Sequence, residues 1–114
     1  DSGARLALGS DFPVEQVNPM LGIYAAVTRQ DLDGWPPGGW YPKQNLSREE
    51  AVRGFTLDAA YAGFMENSVG SLASGKRADF IVLDRNIFVV EAAEIPATRV
   101  LQTWLDGEIV YSYP

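Results

Sequence analysis

Asp11 stands at the end of an apolar segment, Arg5–Ser10 (RLALGS), where the chain turns into DFPV. In α/β proteins the C-terminal ends of strands are where reacting groups are placed, so this carboxylate is the first candidate for chemistry. Taken alone it reads first as a turn-former that hydrogen-bonds its own loop, as aspartate often does. The sequence holds no histidine and no cysteine to work beside it. Ser10 therefore has no imidazole to activate it as a nucleophile, and thiolate chemistry is excluded. A second group is aromatic: Trp35, Trp40 and Tyr41 share one run rich in proline and glycine. They fit either a substrate mouth on which a flat ligand stacks or an anchor that pins the loop, and the residues leave both open. SGKRAD (74–79) lacks the spaced glycines and following helix of a phosphate-binding loop, so it reads as a turn between strands. Asp79 and Asp84 bracket the apolar run FIVL and read as strand-capping residues, not ligands.

The elements that must position these residues follow from local signals. Arg5–Ser10 reads as a short strand with Leu6 and Leu8 on one face, closed by Gly9. Asn18 is a good N-cap and Pro19 suits the first helical position, where its missing N–H costs nothing, so a helix is expected over NPMLGIYAAVTR. That helix is apolar most of the way round, which predicts packing on two sides. Residues 30–46 carry too many prolines and glycines for either period and read as a long loop. Ser47 and Glu50 form a capping box that opens a second helix, expected to end near Glu66–Asn67. Strand-like runs follow at SVGSL (68–72), FIVL (80–83) and IFVVE (87–91). The closing VLQTWLDGEIVYSY is a hairpin with Asp106–Gly107 as its two-residue turn, a pair that tolerates the two positive φ angles of a type I′ turn.

With 114 residues the chain is one domain at most. Fifteen acidic against nine basic residues give a net charge of −6, which argues against nucleic acid, whose phosphates need a basic face. No apolar run approaches the length needed to cross a bilayer, so no membrane partner is expected. Without cysteine there is no disulfide framework. A lone first strand ahead of helices needs other strands to make a sheet, so the expectation is a fragment of a longer chain. Any targeting segment would lie upstream of Asp1, and a cytoplasmic setting is the expectation.

Five pieces in order, GSDFPV, NPMLGIYAAVTRQD, LSREEAVRGFTLDAAYAGFME, VGSLASGKRADFIVLD and VLQTWLDGEIVYS, resemble the C-terminal end of the amidohydrolase superfamily, specifically amidohydrolase family 3. The resemblance runs from about Arg5 to Ser112, and it is the order and spacing that make it specific. It implies an α/β fold: the last strand–helix unit of a (β/α)8 barrel in residues 1–67, then the C-terminal strands of a small β-sandwich in 68–114. It implies a metal-dependent hydrolase acting on amide or other non-peptide C–N bonds, with a divalent metal, zinc by expectation, in the intact enzyme and none in this chain alone. The family's histidine ligands have no counterpart here; only the aspartate after the last strand carries over, onto Asp11. The resemblance gives Asp11 a place at the metal or its water, as the group that takes a proton and passes it to the leaving nitrogen.

The expected partners are an upstream barrel segment of the same protein and a small amide-type substrate held near the loop of Trp35, Trp40 and Tyr41. Self-association of the fragment is also expected, because an orphan strand and a two-sided helix need covering. Two other readings stand beside this one. The chain is a self-sufficient acidic binding module that uses the aromatic loop, or a structural remnant with no activity of its own.

Overall fold

The computed structural model describes residues 3–114 and contains three α-helices, two 3-10 helices and one small sheet among them. Helix α1 is Pro19–Thr28, and it starts as its caps dictate: the Asn18 side chain accepts a hydrogen bond from the Met20 amide at 3.0 Å. Helix α2, Arg48–Phe55, opens with both halves of the capping box, Glu50 N–H to Ser47 Oγ at 3.1 Å and Ser47 N–H to Glu50 Oε2 at 2.8 Å. Helix α3 is Leu57–Ala62. The strands are β1 (Phe80–Leu83), β2 (Val100–Leu105) and β3 (Glu108–Ser112), antiparallel in the order β1-β2-β3. The hairpin turns at Asp106 and Gly107 with φ of 53° and 84°. Phe80 pairs with Trp104 across β1 and β2, and their rings stack with centroids 5.3 Å apart. No helix among the described residues is long and apolar enough to cross a membrane.

Several sequence expectations change. The second helix does not run on to Glu66–Asn67 but breaks at Thr56 (φ −123°, ψ −91°) and ends at Ala62. The Thr56 hydroxyl donates to the Val52 carbonyl at 2.7 Å, the kind of back-bond that competes with the helix ladder. Gly70 presses against this region: a Cβ on it would lie 2.7 Å from Ala60 Cβ and 3.2 Å from the Thr56 carbonyl oxygen. With φ of +86° at Gly70, SVGSL forms turns rather than a strand. IFVVE is not a strand either. The Asn86 side chain accepts from the Phe88 amide at 3.0 Å and its carbonyl from Val89 at 3.1 Å, a turn that drives Ile87 into the core. Arg5–Ser10 pairs with no strand among the described residues. It lies instead on α2, with Leu8 N–H bonded to the Gly54 carbonyl at 3.0 Å, because Gly54 leaves no side chain in the way.

The core is built from Met20, Ile23 and Tyr24 of α1, Ala51 of α2, Ile87, and Ile95 of the 3-10 helix Ala92–Ala97. It therefore draws on residues from both sides of position 67, the expected division between two parts. The accessible surface is 7971 Å², whereas a compact 12.5 kDa monomer exposes about 6,200 Å². The excess is on the order of 1,800 Å², and much of the exposed surface is apolar, including Phe12, Val14, Phe64, Leu72, Ile81 and Val82.

Candidate functional site

Asp11 lies in a left-handed conformation, φ 51°, at the head of the turn that follows Ser10. The turn is closed by its backbone: the Asp11 carbonyl accepts from the Val14 amide at 2.8 Å. Its side chain is exposed and accepts no hydrogen bond from any described residue. The main chain, not the carboxylate, thus makes the turn, and the carboxylate is left available. Between the end of this segment and α1 runs a cleft of about 520 Å³, whose walls include Ser10, Glu15, Gln16, Leu21, Tyr24 and Asp31. Asp11 adjoins that cleft through Ser10.

The aromatic loop is held by its polar groups. Asp31 Oδ1 accepts from the amides of Asp33 (3.0 Å) and Trp35 (2.9 Å), and Gln30 Nε2 donates to the carbonyls of Gly34 (2.8 Å) and Pro36 (3.0 Å). The Tyr24 hydroxyl donates to the Asp31 carbonyl at 3.1 Å, and Trp40 N–H to the Arg29 carbonyl at 2.9 Å. The rings face outward: Trp35, Trp40 and Tyr41 are 66%, 60% and 62% exposed. Trp40 and Tyr41 meet edge to face at 4.7 Å, with the Arg29 guanidinium 5.1 Å from the Trp40 centroid. Within this chain the rings do not anchor the loop. Arg29, Gln30 and Asp31 do, and no sequence motif marks them. Their signal was placement, three polar side chains directly after the helix and ahead of the breakers.

Three other carboxylates, Asp79, Asp58 and Asp84, are engaged structurally. Asp79 accepts from the Asp106 amide at 2.7 Å and so ties the hairpin turn to the start of β1. Asp58, buried, receives Arg53 Nε at 3.1 Å on both oxygens. Asp84 receives Arg85 and Arg99 together: Arg85 Nε at 3.0 Å, Arg99 N–H at 3.0 Å and Arg99 Nε at 3.1 Å. The hydrogen bond from Arg85, then those from Arg99, hold its carboxyl well below the ordinary aspartate value of 3.8, against a smaller opposing effect of desolvation. A folded value below the unfolded one stabilises the native state above the unfolded value, and that contribution disappears as pH falls through the folded one. Acid titration downward from about pH 4 is therefore expected to lower the melting temperature. Asp84→Asn is expected to flatten that slope, and an unchanged slope in the variant would show that Asp84 does not carry it.

No group of three or more histidine, cysteine, aspartate or glutamate side chains placed to hold a metal occurs among the described residues. Asp11 is one carboxylate, where a zinc site takes three or four ligands.

A family model described as "Amidohydrolase family" matches residues 1–111. Over 97% of this chain, Protein LONG AFTER FAR-RED 3 of Arabidopsis thaliana is 37% identical, with 18% of its own length covered. The N-substituted formamide deformylase of Arthrobacter pascens is 33% identical, again over 97% of this chain and 20% of its own length. The chain therefore spans about a fifth of the length of these relatives. Among solved structures, an amidohydrolase from Thermotoga maritima MSB8 superposes with a TM-score of 0.70 over 97% of this chain and 24% of that one, at 20% identity. At that identity the likeness is one of fold: this mixed arrangement of helices and a small antiparallel sheet occurs within an amidohydrolase.

Proposed function

This chain belongs to the amidohydrolase family, and on that premise we propose that it is the C-terminal part of a metal-dependent hydrolase acting on amide or other non-peptide C–N bonds. The carrying observation is the Asp11 carboxylate, exposed and unpaired among the described residues at the end of the segment Arg5–Ser10. In this reading residues 1–67 close a (β/α)8 barrel and 68–114 belong to a small β-sandwich. The remainder of the same polypeptide covers the apolar faces. The family is generally metal-dependent. A free carboxylate fits a hard or borderline divalent ion as one ligand, or fits the place beside it as a base. The other ligands must come from outside these residues, so the chain alone is inactive.

A divalent metal, zinc in this reading, supplies Lewis-acid activation of water when bound. Asp11 accepts the proton as the water attacks the carbonyl carbon. It then returns the proton to the nitrogen, which departs as an amine instead of a far more basic amide anion. The name of the formamide deformylase specifies N-substituted formamides, and an N-substituted amide is the substrate class proposed here. Dialysis of the full-length protein against a chelator should abolish amine release from such a substrate, and zinc should restore it. Activity that survives complete metal removal would overturn the metal-dependent reading.

Trp35, Trp40 and Tyr41 are the proposed substrate loop. Their rings are outward while the polar network does the anchoring, so removing a ring leaves the loop's scaffold in place. Trp40→Ala is expected to raise KM by roughly tenfold, with the melting temperature unchanged. A fall in melting temperature at constant KM would make the ring a structural contact with the rest of the protein.

A further inference from the structure

We infer that Gly39 and Arg29 are positioning residues: together they hold Trp40 as a preformed stacking platform, so the aromatic loop meets substrate as a fixed surface and not as a closing lid. The starting point is the end of α1, because the last carbonyls of a helix lack partners inside it. Here the following residues supply them. Arg29, left-handed with φ 53°, donates its N–H to the Ala25 carbonyl at 2.8 Å, and the Leu46 amide donates to the Ala26 carbonyl at 3.0 Å. Between those two points the chain makes a turn, Gly39 N–H to the Pro36 carbonyl at 2.9 Å, with Gly38 in its third position at φ 78°. That turn sets Gly39 down on the Thr28 carbonyl at the end of the helix.

Two features tie this position to glycine. Its φ is +86°, a conformation that L side chains rarely adopt, and a Cβ on it would overlap the Thr28 carbonyl oxygen, a main-chain atom of the helix that cannot swing aside. A Cβ on Gly34 or Gly38, in the same loop, would meet nothing within 4 Å. The close approach brings Trp40 onto Arg29. Trp40 N–H donates to the Arg29 carbonyl at 2.9 Å, and the Trp40 carbonyl accepts from Arg29 Nε. The Arg29 guanidinium also lies over the Trp40 ring, 5.1 Å from its centroid. Both main-chain polar groups of Trp40 and one side of its ring are thus committed to Arg29.

Arg29 forms no ion pair among the described residues, so its planar group serves the Trp40 carbonyl and ring instead of a carboxylate. Lysine has no Nε–H beside a flat fork and cannot fill both roles. A platform fixed in advance has no ordering cost to meet when substrate arrives, whereas a mobile loop does. Affinity therefore depends on the seat beneath Trp40 as well as on the ring. Only this use of the platform rests on the hydrolase reading above; the seat itself rests on Gly39, Arg29 and the end of α1.

Amide exchange on the substrate-free full-length protein tests the seat, and kinetics test its use. The Trp40 amide is expected to exchange at least ~100-fold more slowly than in the unfolded chain. Gly39→Ala should remove that protection and keep it at Leu46, whose acceptor lies a turn earlier in α1. An unprotected Trp40 amide in the parent, or full protection in Gly39→Ala, would overturn the seat. With an N-substituted formamide as the probe, Gly39→Ala should raise KM roughly tenfold, as Trp40→Ala does, with kcat near the parent value. Arg29→Lys, which leaves the glycine seat intact, should raise KM in the same direction and serves if Gly39→Ala fails to fold. In a Trp40→Ala background neither change should raise KM further, because both act through the ring. Additive KM effects, or an unchanged KM in Arg29→Lys, would remove these residues from substrate positioning. Because exchange is read without substrate, failure of the seat and failure of the hydrolase reading are separable.

Discussion

Asp11→Asn in the full-length protein is expected to lower kcat by about 10²- to 10⁴-fold, the usual contribution of a positioned acid–base group, with KM close to the parent value. Asparagine is the informative replacement. It has nearly the shape of aspartate and tolerates the left-handed conformation, so φ of 51° is retained. The turn survives as well, because it is closed by the Asp11 carbonyl and the Val14 amide, which the substitution does not touch. What is lost is the charge and the capacity to accept a proton. An amide cannot take a proton from attacking water, nor return one to the leaving nitrogen. The alternative role, turn-former, predicts the reverse pattern of a lower melting temperature at constant kcat. Steady-state kinetics and a melting curve on the same preparation separate the two, and an unaltered kcat would remove Asp11 from the mechanism.

The largest expected effect on stability is at Ile95. Its side chain is 0% exposed and sits in the 3-10 helix Ala92–Ala97, in one cluster with Met20, Ile23 and Tyr24. Ile95→Ala removes buried methyl and methylene groups and leaves a cavity, for a loss of about 2–5 kcal/mol. The consequence reaches beyond the core, because α1 carries the Asp11–Val14 turn at one end and the aromatic loop at the other. Loosening its seat should blur both. Val89→Ala, at a position 74% exposed, serves as the control, expected within about 0.5 kcal/mol of the parent. Denaturant midpoints at constant m-value give the comparison. Equal midpoints for the two variants would show that Ile95 is not a keystone of this packing.

Asp11 and the aromatic run are candidates on local signals: a carboxylate that follows an apolar run, and a segment in which prolines and glycines forbid regular structure. Two features were not legible. Whether Trp35, Trp40 and Tyr41 anchor the loop or face outward depends on where Gln30 and Asp31 send their hydrogen bonds. No periodicity encodes that. Asp84 reads in the sequence as a strand cap, and its second arginine comes from fifteen residues further along the chain.

The sequence by itself determined the features whose partners lie within a few residues. These are the Asn18 cap, the Ser47–Glu50 box, the Asp106–Gly107 turn with its two strands, and the FIVL strand bounded by aspartates. It also carried the ordered set of segments by which the family is recognised. Tertiary structure alone decided that the second helix breaks at Thr56 and that 68–72 and 87–91 turn instead of pairing. It also decided that one core joins α1 to Ile87 and Ile95, and that Arg5–Ser10 rests on Gly54. The physical reason is range. A cap or a tight turn is satisfied by groups that chain connectivity already holds close, so local residue types suffice. A strand exists only when a second strand supplies its hydrogen bonds, and a core residue is buried only when distant segments close over it.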